Sequence, residues 1–202
     1  MSMKIFLCFT VKHLYTSLGF ISEWEGKVKS IILLVIDHQN IDLDDFDTSE
    51  LDNLNSKLLI LNESVLIEKF KQGNLLNFSN FLSQNLYLGF KGWYIVSNFI
   101  QKEIAKLIPI DLINDEVFLY HDKTFLSKYF INYHNVTLIE DGLANYSEIP
   151  VKGGTLKRFI RMVIGLNPQF QILGEGKRIG CILLTSPERA PSQVIHKCKQ
   201  LS

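Results

Sequence analysis

Short runs that are apolar at nearly every position alternate with segments of helical periodicity along most of this chain. Runs of this kind predict strands that are buried on both faces. The six predicted strands cover residues 4–10, 30–36, 56–62, 116–121, 135–140 and 178–185. Helical spacing of apolar residues predicts helices over residues 11–24, 124–130 and 155–165. A last helix is expected to begin at Ser192 and to run to Gln200.

Buried strands that alternate with helices are typical of a mostly parallel sheet with helices on both faces. We therefore predict an α/β protein with a Rossmann-like parallel sheet. Residues 75–107 are rich in aromatic side chains at helical spacing, and they predict two helices or one kinked helix. Ligands of parallel sheets bind beyond the carboxyl ends of the strands, so polar residues that follow the strands are candidates for a site.

Composition adds few constraints. The chain has 202 residues, 47% of them hydrophobic and 21% charged, with a formal net charge of zero. This balance is ordinary for a globular protein and gives no indication of a nucleic-acid partner. The longest aliphatic run, residues 31–36, is far shorter than the roughly 20 residues of a membrane-spanning helix, so no transmembrane segment is predicted.

Charge and cysteine distribution complete the outline. The acidic stretch from Asp37 to Asp52 is predicted to be a solvated loop and helix start, and residues 151–202 are basic. The three cysteines have no metal-ligand spacing, and reduced thiols indicate a cytoplasmic protein. They are Cys8, Cys181 and Cys198.

Two adjacent carboxylates end the fifth predicted strand, in the stretch IEDGLANY. Glu140 and Asp141 directly precede Gly142, which allows a sharp turn because glycine tolerates positive φ. A rigid strand would then hold both carboxylates at the edge of the sheet where ligands bind. The same pattern also fits a plain turn or a cap of the next helix, and composition alone favours that interpretation.

The stretch from Ile139 to Tyr146 resembles the acid-acid-glycine motif of the bacterial lipooligosaccharide sialyltransferases, glycosyltransferase family 52, and of the related polysialyltransferases. Residues 4–17 resemble the first strand and helix of that family, and residues 178–191 resemble a later strand and loop. The resemblance implies a GT-B fold. Residues 1–150 would form its N-terminal, Rossmann-like acceptor-side lobe, and residues 151–202 a linker helix and the start of a truncated nucleotide-sugar lobe.

The resemblance also implies transfer of sialic acid from CMP-sialic acid to a terminal galactose of a lipooligosaccharide or related glycan, without a metal or cofactor. The protein would be cytoplasmic and peripheral on the inner membrane. Asp141 would be the general base for the acceptor hydroxyl, and Glu140 would orient or tune it. The implied substrate-binding residues are Gly142, Thr10, His13, His121, Asp122, Asn145 and Tyr146. The implied donor-phosphate residues are Ser186 and Arg189. Helix capping by Asp122, and capping or solvent exposure of His13, are the alternatives.

The sequence departs from the family in one respect. None of its five histidines precedes a proline, so the family's His-Pro motif is missing. If the chain ends naturally at Ser202, we expect no measurable transfer and only weak CMP binding, because most of the donor lobe would be missing. A lobe without its partner should form a homodimer or be poorly soluble through exposed apolar residues. Those residues are Leu183, Leu184, Val194 and Ile195. The alternative function is a non-catalytic α/β module that binds a glycan or a partner protein.

Overall fold

The computed structural model describes residues 2–25, 27–39, 51, 53–72, 99–108, 114–133, 135–163 and 165–201. Within them the main sheet consists of β1 (Lys4–Cys8), β2 (Ser30–Val35), β3 (Ser56–Leu61), β4 (Glu116–Leu119), β5 (Asn135–Ile139), β8 (Ile179–Leu184) and β9 (Cys198–Gln200). A separate antiparallel pair consists of β6 (Ile149–Pro150) and β7 (Phe170–Gln171). The helices are α1 (Val11–Glu23), α2 (Glu63–Gln72), α3 (99–105), α4 (Phe125–Tyr133) and α5 (Thr155–Val163).

The strands of the main sheet lie in the order β3-β2-β1-β4-β5-β8-β9, and every neighbouring pair is parallel. From β1 the chain adds strands outward on one side, and from β4 it adds them on the other side. This order is that of Rossmann-like folds, so the predicted α/β class is confirmed.

The central strands β1, β2 and β4 are apolar at nearly every position because both faces of the sheet are covered there. Successive side chains of a strand point to opposite faces. In β1, Ile5 and Leu7 pack in one buried cluster, while Phe6 and Cys8 pack in the other. Helix α1 covers the second face through Leu14, and the described parts of α3 and α4 contribute to the first cluster.

The C-terminal part of the chain differs from the prediction. Residues 198–200 form an edge strand next to β8 rather than the end of a helix, and a 3₁₀ turn at Ile195–Lys197 precedes them. A helix of nine residues is marginal by itself, whereas pairing with β8 satisfies backbone N–H and C=O groups.

Strand β8, which we expected to begin a second lobe, instead pairs with β5 and extends the first sheet. Its apolar side chains Ile182 and Leu184 are buried in the core of that sheet. Of the four residues expected in an exposed apolar patch, Leu184 and Val194 are buried and Leu183 is half-buried, whereas Ile195 is 43% exposed. The prediction of a homodimer, which was based on that patch, therefore loses part of its support.

Two predicted features lie largely outside the described residues. In the long aromatic segment, residues 75–98 lie outside the described part, and residues 99–105 are seen as helix. Most of the acidic stretch, residues 40–50 and 52, also lies outside the described part. Asp37, at the start of the acidic stretch, lies inside the described part. Its carboxylate accepts the N–H groups of Glu63 and Ser64, so Asp37 caps helix α2.

Candidate functional site

The strand order of the sheet reverses between β1 and β4, and this is where Rossmann-like folds bind ligands. Strand β1 ends at Cys8, β4 at Leu119 and the neighbouring β5 at Ile139. The carboxyl ends of these three parallel strands meet at one edge of the sheet. The acid pair therefore lies beside the position where the fold favours a site.

Asp141 and His13 are in direct contact at this edge. Nε2 of His13 lies 2.7 Å from Oδ1 of Asp141. His13 stands in the first turn of α1, where the Thr10 hydroxyl caps the helix by accepting the His13 N–H at 3.1 Å. The His13 side chain is only 2% exposed, whereas the Asp141 side chain is 33% exposed. The histidine thus supports the carboxylate from the protein side, and the carboxylate faces outward.

The hydrogen bonds of His13 define its tautomer. The backbone N–H of Phe9 donates to Nδ1 of His13 at 3.2 Å, so Nδ1 must be an unprotonated acceptor. The ring proton is then on Nε2, which donates to Asp141. Burial lowers the pKa of His13, and this outweighs the opposite effect of Asp141. The imidazole is therefore neutral at neutral pH, and a second ring proton would have to face the Phe9 N–H.

A set of buried polar groups fixes the His13 ring from behind. The ring stacks on Tyr120 with 4.2 Å between centroids and 5° between planes. The Ser17 hydroxyl donates to the His13 carbonyl at 2.8 Å, so it must accept from the Tyr120 hydroxyl at 2.9 Å. It also accepts from the Cys8 thiol at 3.2 Å, since burial raises the pKa of Cys8 to about 12 and keeps it protonated.

The backbone of Asp141 is fixed by the turn that follows it. The side-chain oxygen of Asn145 accepts the N–H groups of Asp141 at 3.0 Å and of Gly142 at 3.3 Å. Gly142 has φ of +147°, a conformation that a glycine adopts without strain. Lys12 donates its ammonium to the Asp141 carbonyl at 2.8 Å. The glycine after the acid pair is thus explained by a turn that aims the Asp141 carboxylate.

Two polar groups of this turn have no hydrogen bond to the rest of the described chain. Oδ2 of Asp141 is one of them, and Nδ2 of the buried Asn145 is the other. A buried donor without a partner is costly, and a ligand oxygen or a water molecule would satisfy it. The turn therefore offers the Oδ2 acceptor of Asp141 to a bound molecule, whereas the Nδ2 donor of Asn145 is enclosed by the protein.

Glu140 has a different environment from its neighbour. Its Oε2 accepts the Tyr146 hydroxyl and the Thr185 N–H, each at 2.6 Å. The Tyr146 hydroxyl in turn accepts the Ser186 N–H at 3.1 Å. Burial alone would raise the pKa of Glu140, but these hydrogen bonds lower it below its ordinary value. Glu140 is therefore a fixed anion that ties the loop after β8 to the loop after β5.

A shallow pocket of about 300 Å³ adjoins Glu140. Its lining residues are Glu140, Leu143, Tyr146, Thr185, Ser186 and Arg189. The pocket thus brings together both predicted donor-phosphate residues with one carboxylate of the acid pair and with Tyr146. Arg189 is well exposed there, and its guanidinium lies 4.0 Å from Glu188, so it remains accessible to a ligand.

His121 and Asp122 follow β4 but are engaged by the protein. Asp122 is buried, and its Oδ2 accepts the Gly174 N–H at 3.1 Å, which ties this loop to the turn before β8. We therefore assign Asp122 a structural role in place of substrate binding. The capping alternative for Asp122 is wrong, because the Thr124 hydroxyl caps α4. Nδ1 of His121 accepts the Lys123 N–H at 2.9 Å.

Sequence reasoning missed Lys12 and Ser17 as parts of the site. The position of Ser17 could have indicated its role, because Ser17 stands four residues after His13 and so shares the buried face of α1 with it. The position of Lys12 gave no such indication, because its contact with Asp141 joins residues more than a hundred positions apart.

Comparison of the chain with models of protein families, with curated proteins and with solved structures finds no match. The chain is therefore placed by its fold, as an α/β protein with a Rossmann-like parallel sheet. No three His, Cys, Asp or Glu side chains of the described part lie together as a metal site would require. No described helix has the length and apolar character needed to cross a membrane.

Proposed function

We propose that this chain is a sialyltransferase-type glycosyltransferase in which Asp141 is the general base. The donor is CMP-sialic acid, and the acceptor is a terminal galactose of a lipooligosaccharide or a related glycan. The proposal includes a GT-B arrangement, with this sheet in the acceptor-side lobe, and a cytoplasmic location at the inner membrane. The observation that carries it is the Asp141 carboxylate, which His13 orients at the carboxyl edge of the sheet while Oδ2 stays open.

The reaction assigns each group a defined step. The acceptor hydroxyl oxygen forms a bond to the anomeric carbon of the donor, and the bond from that carbon to the phosphate oxygen breaks. The electron pair of the broken bond leaves with CMP. The acceptor proton moves to Oδ2 of Asp141, which is placed to accept it. The His13 Nε2–H on Oδ1 keeps the carboxylate in one orientation throughout.

Glu140 and the nearby cations have supporting roles. The hydrogen bonds to Oε2 of Glu140 lower the pKa of this carboxylate and so make it a weaker base, and we assign it the positioning of the loop at Thr185. Arg189 in the adjoining pocket and Lys12 beside Asp141 supply positive charge for the departing phosphate.

A transfer assay with CMP-sialic acid and a β-galactoside tests the proposal. Asp141→Asn should lower the rate about 10²- to 10⁴-fold, as expected for loss of a general base. Glu188→Gln, which changes an exposed carboxylate near the same pocket, is the matched control and should leave the rate unchanged. Transfer by Asp141→Asn at close to the wild-type rate would exclude Asp141 as the base. No transfer by the wild-type chain, together with no binding of either substrate, would exclude the proposed function.

A glycan-binding module without catalysis is the second candidate. The pocket beside Glu140 favours it, because a carboxylate and Tyr146 next to an exposed apolar residue, Leu143, suit a sugar ring. NMR titration with the β-galactoside separates the two candidates. Shifts of the Tyr146 and Thr185 signals without any transfer would support the binding module and overturn the transferase.

A further inference from the structure

Helix α5 carries its apolar residues outward. Four of them lie at positions i, i+3, i+6 and i+7 and so form one exposed stripe, roughly 120° wide at 3.6 residues per turn. The stripe consists of Leu156, Phe159, Met162 and Val163. Leu156 is 71% exposed, Phe159 58% and Val163 67%. A continuous apolar stripe of this kind marks an interaction surface.

The attachment of α5 explains why the stripe faces outward. Arg161 lies on the opposite side of the helix and is buried. Its guanidinium donates to the Asn167 carbonyl at 2.8 Å and to the Phe170 carbonyl at 2.9 Å. It also forms an ion pair with Glu175 at 2.6 Å, and both side chains are only 7% exposed. The polar side thus anchors the helix, and the apolar side is presented to the surroundings.

The charges around the stripe have one sign. Residues 149–166 contain no acidic residue, and besides the ion-paired Arg161 they contain three basic residues, Lys152, Lys157 and Arg158. Lys157 and Arg158 flank the stripe, and the Lys157 ammonium donates to the Lys152 carbonyl at 3.0 Å. Lys177 adds a further cation beside the end of α5, since a Cβ on Gly165 would lie 3.3 Å from its Cε. A second copy of this helix would bring like charges together, whereas an anionic lipid surface complements both the cations and the stripe.

We propose that α5 is a membrane-surface helix that docks on anionic lipid. The apolar stripe enters the boundary between headgroups and acyl chains, with the helix axis parallel to the surface. Lys152, Lys157 and Arg158 then contact lipid phosphates. This assignment does not depend on the proposed transfer reaction, because none of its residues belongs to the site at Asp141.

Co-sedimentation of the full chain with vesicles tests the proposal. The wild-type protein should bind vesicles that contain phosphatidylglycerol more tightly than vesicles of phosphatidylcholine alone, and added salt should weaken that binding. The double variant Phe159→Ser, Val163→Ser should lose more than tenfold in partitioning. Replacing Lys157 and Arg158 by Gln should cost about fivefold for each charge removed.

Two matched variants serve as controls. Val65→Ser changes an exposed apolar residue of α2, and Lys102→Gln changes an exposed cation of α3; both should bind like the wild type. Circular dichroism establishes that each variant is folded. Equal binding by the Phe159/Val163 variant would overturn the proposal, and so would a lack of vesicle binding by the wild type. A concentration-dependent dimer that the same variant abolishes would assign the stripe to a second copy instead.

Discussion

His13 and Asp141 are 128 positions apart in the chain, yet Nε2 of one lies 2.7 Å from Oδ1 of the other. The contact joins the first helix of the fold to the loop after β5. Because Nδ1 of His13 already accepts the Phe9 N–H, only the neutral tautomer with its proton on Nε2 serves both partners. The orientation of the candidate base is therefore set by a backbone group at the end of β1.

This tautomer is directly observable. At neutral pH, ¹⁵N spectra of histidine-labelled protein should show His13 with an unprotonated Nδ1 and a protonated Nε2. The exposed His196 is the internal control, and it should show the averaged shifts of two exchanging tautomers. A protonated Nδ1 in His13 would contradict the hydrogen bond from Phe9 and the orientation of Asp141 derived from it.

Stability should depend on pH through His13. Burial lowers its pKa in the folded protein below the ordinary value of 6.5, so the unfolded chain binds this proton more readily. The contribution of His13 is fully present above pH 6.5 and is lost as the pH falls toward the folded pKa. The slope approaches about 1.4 kcal/mol per pH unit for one proton.

Urea unfolding between about pH 7.5 and about pH 5.5 measures this slope, above the range where carboxylates titrate. His13→Gln cannot titrate and should show a shallower dependence, although its stability at the upper pH is lower. Equal slopes for the variant and the wild type would exclude His13 as the source.

Tyr146 should control the ionisation of Glu140. Burial favours the neutral form of Glu140, and hydrogen bonds from Tyr146 and Thr185 hold its pKa below 4.5. Tyr146→Phe removes one of these bonds, so the pKa of Glu140 should rise, at a cost of about 1 kcal/mol in stability. The stability that Glu140 contributes above pH 4.5 and loses in acid should shrink accordingly. Carboxyl ¹³C titration measures the pKa, and an unchanged value would show that the Tyr146 hydroxyl does not stabilise the anion.

The sequence predicted the central strands well because they are buried on both faces and therefore almost entirely apolar, as β1 and β2 are. It also placed Asp141 at the end of β5 correctly. It could not predict that β8 would pair with β5, because the apolar pattern of β8 fits any parallel sheet. Nor could it place His13 behind Asp141, since helical periodicity says which face of α1 is buried but not what covers it.

Gly174 closes the turn that links β7 to β8, and its replacement gives the most direct test of the fold. Its φ is +81°, and a Cβ at this position would lie 2.4 Å from Cδ1 of Ile182. Its N–H donates to the buried Asp122, and its carbonyl accepts the Lys197 ammonium at 3.1 Å. Because these bonds and the packing of Ile182 hold the backbone in place, an added methyl group cannot be accommodated by a small shift.

Gly174→Ala should therefore lose about 1 to 2 kcal/mol from the left-handed backbone and about 1 to 3 kcal/mol from overpacking, in total about 2 to 5 kcal/mol. Gly19→Ala in α1 is the matched control, since a Cβ there meets nothing within 4 Å. That change should raise stability by about 0.5 to 1 kcal/mol through helix propensity. Urea unfolding of both variants at one pH measures the difference. A Gly174→Ala variant as stable as the wild type would show that the turn before β8 is not packed against Ile182. That result would also contradict the structural role assigned to Asp122, which binds the same turn.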